Sequence, residues 1–135
     1  MDINESVEAI LSDKQVMCEL FFRRFLEKHP EARQYFADAD MTKQANFLTI
    51  ALAIIEDHYE HEYRTTEHYL KVLGTRHRKW GIPVELYAPF RDCLLETMAE
   101  FHGDDWTEEL AGQWRKAIDK ATETMLEGYD HTYIY

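Results

Sequence analysis

At 135 residues, 45% hydrophobic and 13% aromatic, the chain has room for one domain with a genuine core and little for a second. A net charge of -11 opposes binding to nucleic acid or to an anionic membrane surface, and no apolar run is long enough to span a bilayer. The start, Met1-Asp2-Ile3-Asn4-Glu5, lacks the basic end and apolar centre of a secretion signal, and Cys18 and Cys93 are isolated thiols in apolar patterns. The expectation is a cytoplasmic protein with buried free cysteines.

Taken in order, the chain reads as a series of amphipathic helices. Asn4 caps a short first helix with Val7, Ile10 and Leu11 on one face, and Ser12-Asp13 forms the corner after it. A second helix, about 14 to 28, has Val16, Leu20 or Phe21, and Phe25 as its buried stripe, with Phe22 beside it. Pro30 opens a short helical turn ending near Phe36, since proline is tolerated at the first helical position. Thr42 caps a third helix whose apolar face is Ala45, Leu48, Ala51, Leu52 and Ile55, with Gln44 one turn before Leu48 on the same side.

From His58 to His68 the composition is that of a charged, solvated linker. His58 and His61 have ligand spacing, but no second metal is assigned to them. Thr66 then caps a helix in which Tyr69, Leu70, Leu73 and His77 share a face, Arg76, Arg78 and Lys79 crowd the last turn, and Gly81 ends the helix before Pro83. Two long segments follow. One, about 84 to 101, buries Tyr87, Phe90, Leu94, Met98 and Phe101; the other, about 107 to 129, buries Leu110, Trp114, Ala117, Ile118, Ala121 and Met125. These two are expected to form an antiparallel floor, with residues 130–135 a loose tail from which Tyr133 and Tyr135 could dock. Helices joined by short corners, with no alternating strand run, no phosphate loop and no repeat, predict an all-α domain over residues 1–129.

His77 is the residue with chemistry to offer. A single imidazole near the C-terminal end of an apolar-faced helix can hold the metal of a cofactor wedged against that face. The run Leu73-Gly74-x-x-His77-x-x-x-Gly81-Ile82-x-x-Glu85-x-Tyr87-x-x-Phe90 resembles the proximal histidine segment of globins, in the branch of bacterial single-domain globins and flavohaemoglobin globin domains. The likeness extends to Phe21-Phe22-Arg23-Arg24-Phe25, His29-Pro30-Glu31 and Phe36, to Asp40-Met41-x-x-Gln44-x-x-x-Leu48, and downstream to Leu94-Leu95-x-Thr97-Met98 and Trp114-x-Lys116-Ala117.

The resemblance implies a globin fold, with oblique helices around a haem pocket, and haem b as the cofactor. It implies His77 as the iron ligand, with Phe36, Gln44, Leu48, Leu73, Ile82, Tyr87 and Phe90 around the haem and Phe22, Gln44 and Leu48 on the distal side where a gas would bind. The Leu73 carbonyl is a suitable partner for the second imidazole nitrogen, and Arg76 or Lys43 could meet a propionate. Phe22 stands where many flavohaemoglobins have tyrosine, and the family's proximal glutamate falls on Tyr129, with Glu127 two residues away. The implied function is reversible binding of oxygen and other diatomic gases. The alternatives are a nitric oxide dioxygenase or peroxidase fed by a separate reductase, since no flavin or nicotinamide domain follows, and a non-haem sensor or interaction module.

Overall fold

A computed structural model describes residues 1–134. Among these there are six α-helices and no strand: α1 Ile3–Ser12, α2 Lys14–Lys28, α3 Met41–His61, α4 Arg64–Lys79, α5 Tyr87–His102 and α6 Glu108–Asp130. Short 3-10 turns at Pro30–Tyr35, Val84–Leu86 and Gly103–Asp105 make the corners. This is the all-α architecture the sequence predicts. None of these helices is long and apolar enough to cross a membrane.

The helix starts differ from expectation in a consistent way. Asp2, not Asn4, caps α1, in a reciprocal capping box with Glu5. Asp40, not Thr42, caps α3, its carboxylate accepting from the Thr42 and Lys43 amides at 2.9 and 3.3 Å. Likewise α4 begins at Arg64, and the Thr66 hydroxyl donates to the Tyr63 carbonyl at 2.9 Å rather than capping. A carboxylate accepts a charge-assisted bond and favours the positive end of the helix dipole, so the aspartates start α1 and α3 ahead of the residues chosen from the pattern.

On α2 the buried stripe is Met17, Cys18, Phe21, Phe22 and Phe25, while Val16 is 45% exposed, so the helix is turned by one position from the expected face. Leu11 is likewise exposed. The expected linker between His58 and His68 is also corrected. No breaker interrupts the run after Ile55, and α3 continues to His61, leaving Glu62 in the left-handed region (φ 54°) and Tyr63 as the whole connection. His58 is buried, 3.4 Å from the Thr124 hydroxyl of α6.

The core is centred on Trp114, Phe21, Phe25, Leu94 and Met98, where α2 crosses α5 and α6 runs behind them. One polar node lies inside it: the Trp114 indole donates to the Ser6 hydroxyl at 2.9 Å, and that hydroxyl is 2.7 Å from His102 Nε2. The most intimate helix pair is α4 against α6. Gly74 lies against the backbone of Met125, and Gly128 against the backbone of Lys71, Gly74 and Thr75, so close that a Cβ at either glycine would collide with main-chain atoms. The buried Thr75 hydroxyl lies 3.2 Å from the Gly128 carbonyl. By contrast, α3 and α4 touch lightly.

Residues 131–134 lie back along α4. The Tyr133 amide donates to Thr75 at 3.0 Å, Arg78 donates to the Tyr129 carbonyl and the Thr132 hydroxyl, and Lys71 sits 5.4 Å over the Tyr133 ring. Tyr135 lies outside the described residues.

Candidate functional site

A cavity of about 130 Å³ opens between α4, α5 and α6. Its walls are Phe25 from α2, Tyr35 and Phe36 from the first corner, Ile55 from α3, and His77 from α4. The connection to α5 gives Ile82 and Leu86, α5 gives Tyr87, Phe90 and Leu94, and α6 gives Ile118, Ala121, Thr122 and Met125. Two of its hydroxyls are engaged: Tyr35 donates to the Gly81 carbonyl at 3.2 Å, and Thr122 to Ile118 one turn back at 2.9 Å.

His77 is oriented by its own helix. Its Nδ1 is 2.8 Å from the Leu73 carbonyl, which can only accept, so the hydrogen sits on Nδ1 and the lone pair on Nε2. Burial lowers the His77 pKa, outweighing the opposing pull of that hydrogen bond, and keeps the ring neutral. The predicted Leu73 carbonyl contact is therefore present. Trp80 and Tyr87 flank the imidazole at ring separations of 5.3 and 6.2 Å.

The Tyr87 hydroxyl is buried and has no hydrogen-bond partner among the described residues, and burial pushes its pKa up. Tyr129 crosses it edge-on at 5.9 Å and donates its own hydroxyl to the Ile82 carbonyl at 2.7 Å. Glu127 does not approach; it faces Lys71 at 3.6 Å on the outside of α4. The place that the resemblance assigns to a glutamate thus holds a neutral phenol bonded to the main chain.

Of the predicted site residues, Phe36, His77, Ile82, Tyr87 and Phe90 meet in this cavity, and Leu73 acts through its carbonyl. Phe22, Gln44 and Leu48 do not line it. Phe22 packs edge-on against Phe36 at 5.4 Å, Leu48 is buried in the same cluster, and Gln44 is half-buried one turn before it. Lys43 and Arg76 are exposed. The α6 wall was not singled out from sequence, because Ile118, Ala121 and Met125 carry the same apolar periodicity whether they fill a core or face a cavity. Their counterpart Thr122, a polar residue inside that stripe, was the available signal.

Fold and site together define an all-α protein with one neutral, oriented imidazole in the wall of an apolar cavity. Residues 19–125 match the globin family model, and the chain belongs to the globin family. It is 28% identical to Leghemoglobin 29 of Vicia faba, over 93% of this chain and 91% of the relative. It is 22% identical to a leghemoglobin of Psophocarpus tetragonolobus, over 94% and 92%, and 23% identical to the anaerobic nitrite reductase NSHB5 of Oryza sativa subsp. japonica, over 90% and 87%.

Haem, the cofactor this family implies, fits the donor chemistry: apolar and aromatic walls, one neutral imidazole with a fixed ring, and an unpaired buried phenol. The cavity is smaller than the roughly 300 Å³ at which small-molecule pockets begin. α4 is locked to α6, whereas its contact with α3 is slight.

Proposed function

We propose that the protein reversibly binds oxygen, and with it nitric oxide or carbon monoxide, through haem b held by His77, and that it works in the cytoplasm. The observation that carries this is the 2.8 Å bond from His77 Nδ1 to the Leu73 carbonyl inside an apolar cavity, which leaves Nε2 as a ready ligand. Haem would supply an iron position open to a diatomic gas. Phe36, Ile82, Tyr87 and Phe90 supply the apolar bed that would exclude water from it. On the distal side the reading assigns Gln44 as the hydrogen-bond donor, with Leu48 and Phe22 as apolar bulk. The run from Leu73 to Phe90 supports a place near the bacterial single-domain branch.

The neutral proximal side supports a carrier over a peroxidase. A carboxylate beside the ligand histidine would raise its basicity, and here Tyr129 is bonded to Ile82 instead. A second reading, redox turnover with a separate reductase, draws on the relatives named as anaerobic nitrite reductases. Neither nucleic acid nor membrane is a fitting partner for a charge of -11.

Adding haem to the purified protein tests the proposal. One equivalent should be taken up with an intense Soret band and a five-coordinate ferrous spectrum, and His77→Ala should lose most of that affinity. No uptake would favour the non-haem module, and rapid turnover with nitric oxide and a supplied reductase would favour the enzyme.

A further inference from the structure

The outer side of α3 carries an apolar seam that is largely left in water. Lys43, Phe47, Ile50, Ile54 and Asp57 follow one another at steps of four, three, four and three, a 3.5-residue repeat that keeps all five along one line of the helix. The opposite side of α3 faces the core, where Ala45, Leu48, Thr49 and Leu52 are buried. On the seam Phe47 is 60% exposed and Ile50 49%, while Ile54 is half-buried and packs in part against the Leu70 cluster.

Charge sets this face apart. Of the whole chain 30% is charged and the net charge is -11, yet no charged residue occurs from Gln44 to Ile55. Two copies of so acidic a protein repel over most of their surface and approach with least opposition where charge is missing. The ends of the seam are opposite in sign, and neither Lys43 nor Asp57 makes an ion pair among the described residues. Ile50 lies midway, seven residues from each. A second α3 turned end for end about Ile50 therefore sets Lys43 of each copy against Asp57 of the other, with Phe47 beside Ile54 and Ile50 against its own mate. Parallel packing would instead oppose like charges.

We propose that α3 is the contact surface of a symmetric dimer of this chain, with two α3 helices packed antiparallel across Phe47, Ile50 and Ile54. The dimer does not depend on the haem reading. One helix against another covers less than a standard interface, so association is weak, with a dissociation constant of roughly 10 μM to 1 mM.

Sedimentation equilibrium of the full chain, across and above that concentration range, is the test. Phe47→Glu and Ile50→Glu, both at exposed positions, should each weaken association about tenfold or more. Thermal melts of both variants should match the parent; if Ile50→Glu melts early, Phe47→Glu, at the more exposed position, decides. Charge reversal reads the register. Lys43→Glu or Asp57→Lys alone should weaken association by about two- to tenfold, and the two together should restore it. Ile50→Cys should give a disulfide-linked dimer on oxidation, whereas Lys43→Cys, whose two copies would lie about 21 Å apart, should not. A chain that stays monomeric throughout would overturn the proposal, as would a dimer indifferent to both glutamates. Single reversals without effect, or a double reversal that recovers nothing, would also overturn it.

Discussion

Replacing Gly74 by alanine should destabilise the protein although alanine is the better helix former. Inside a helix the exchange normally stabilises by up to about 1 kcal/mol. At Gly74 the added Cβ runs into the Met125 carbonyl, and a backbone atom held in α6 cannot turn aside as a side chain would. Overpacking of this kind costs about 1–3 kcal/mol, and a main-chain obstacle puts it at the upper end, leaving a net loss of about 2 kcal/mol. For a domain of this size that lowers the melting temperature by roughly 6–10 °C. Gly112 is the internal control: it lies within α6, has nothing within 4 Å of its Cβ position, and Gly112→Ala should raise stability by about 0.5–1 kcal/mol. Urea unfolding of both variants, with slopes compared, reads the two signs directly. Equal stabilisation in both would show that the α4 and α6 backbones are not pressed together at Gly74, and would remove the reason for taking α4 as the fixed side of the pocket.

Other expectations are as direct. Haem binding only to the folded protein should raise stability by about 4 kcal/mol when free haem is a thousandfold above its dissociation constant, so equal melting curves with and without haem would contradict the cofactor assignment. Gln44→Leu should speed oxygen dissociation by roughly two- to tenfold, the worth of one hydrogen bond, with a smaller change for carbon monoxide; an unchanged oxygen rate would place the Gln44 amide in solvent. Acid should weaken the fold through His102, whose pKa burial lowers from the ordinary 6.5. Below pH 6.5 the unfolded chain takes up a proton that the folded ring refuses, so stability is full above that pH and falls until the folded pKa is passed. His102→Gln should flatten this part of the profile, and an unaltered slope from pH 6.5 downward would assign the loss to other groups.

How much of this was legible in the sequence depended on what each position had to satisfy. On α6, Leu110 through Met125 reads correctly as an apolar stripe because all six positions are withdrawn from water, whether they meet a neighbour or the cavity. On α2 two apolar faces compete, Val16 with Phe21 against Met17 with Cys18, and only packing against α5 and α3 decides that Val16 is left in water. His58 among Glu56, Asp57 and Glu60 looks solvated in one dimension, yet α6 lies over it in three. Of the site, the proximal half was legible, since His77 and Leu73 are one turn apart and need no tertiary knowledge to meet. The far wall of the cavity was not, because a side chain that faces a void and one that faces a neighbour carry the same hydrophobicity.

Ser6 has a bearing on where the domain can be cut. The family match begins at residue 19, beyond α1, yet the Ser6 hydroxyl is the shared partner of the Trp114 indole and His102, both of which lie within the matched region. Without α1, two polar groups at the centre of the molecule lose one oxygen at once, and each buried donor or acceptor left unmet costs about 1–3 kcal/mol. The first helix is thus a plug whose Ser6 hydroxyl completes the wiring of the interior, and a fragment trimmed to residues 19–125 should melt far earlier than the whole chain.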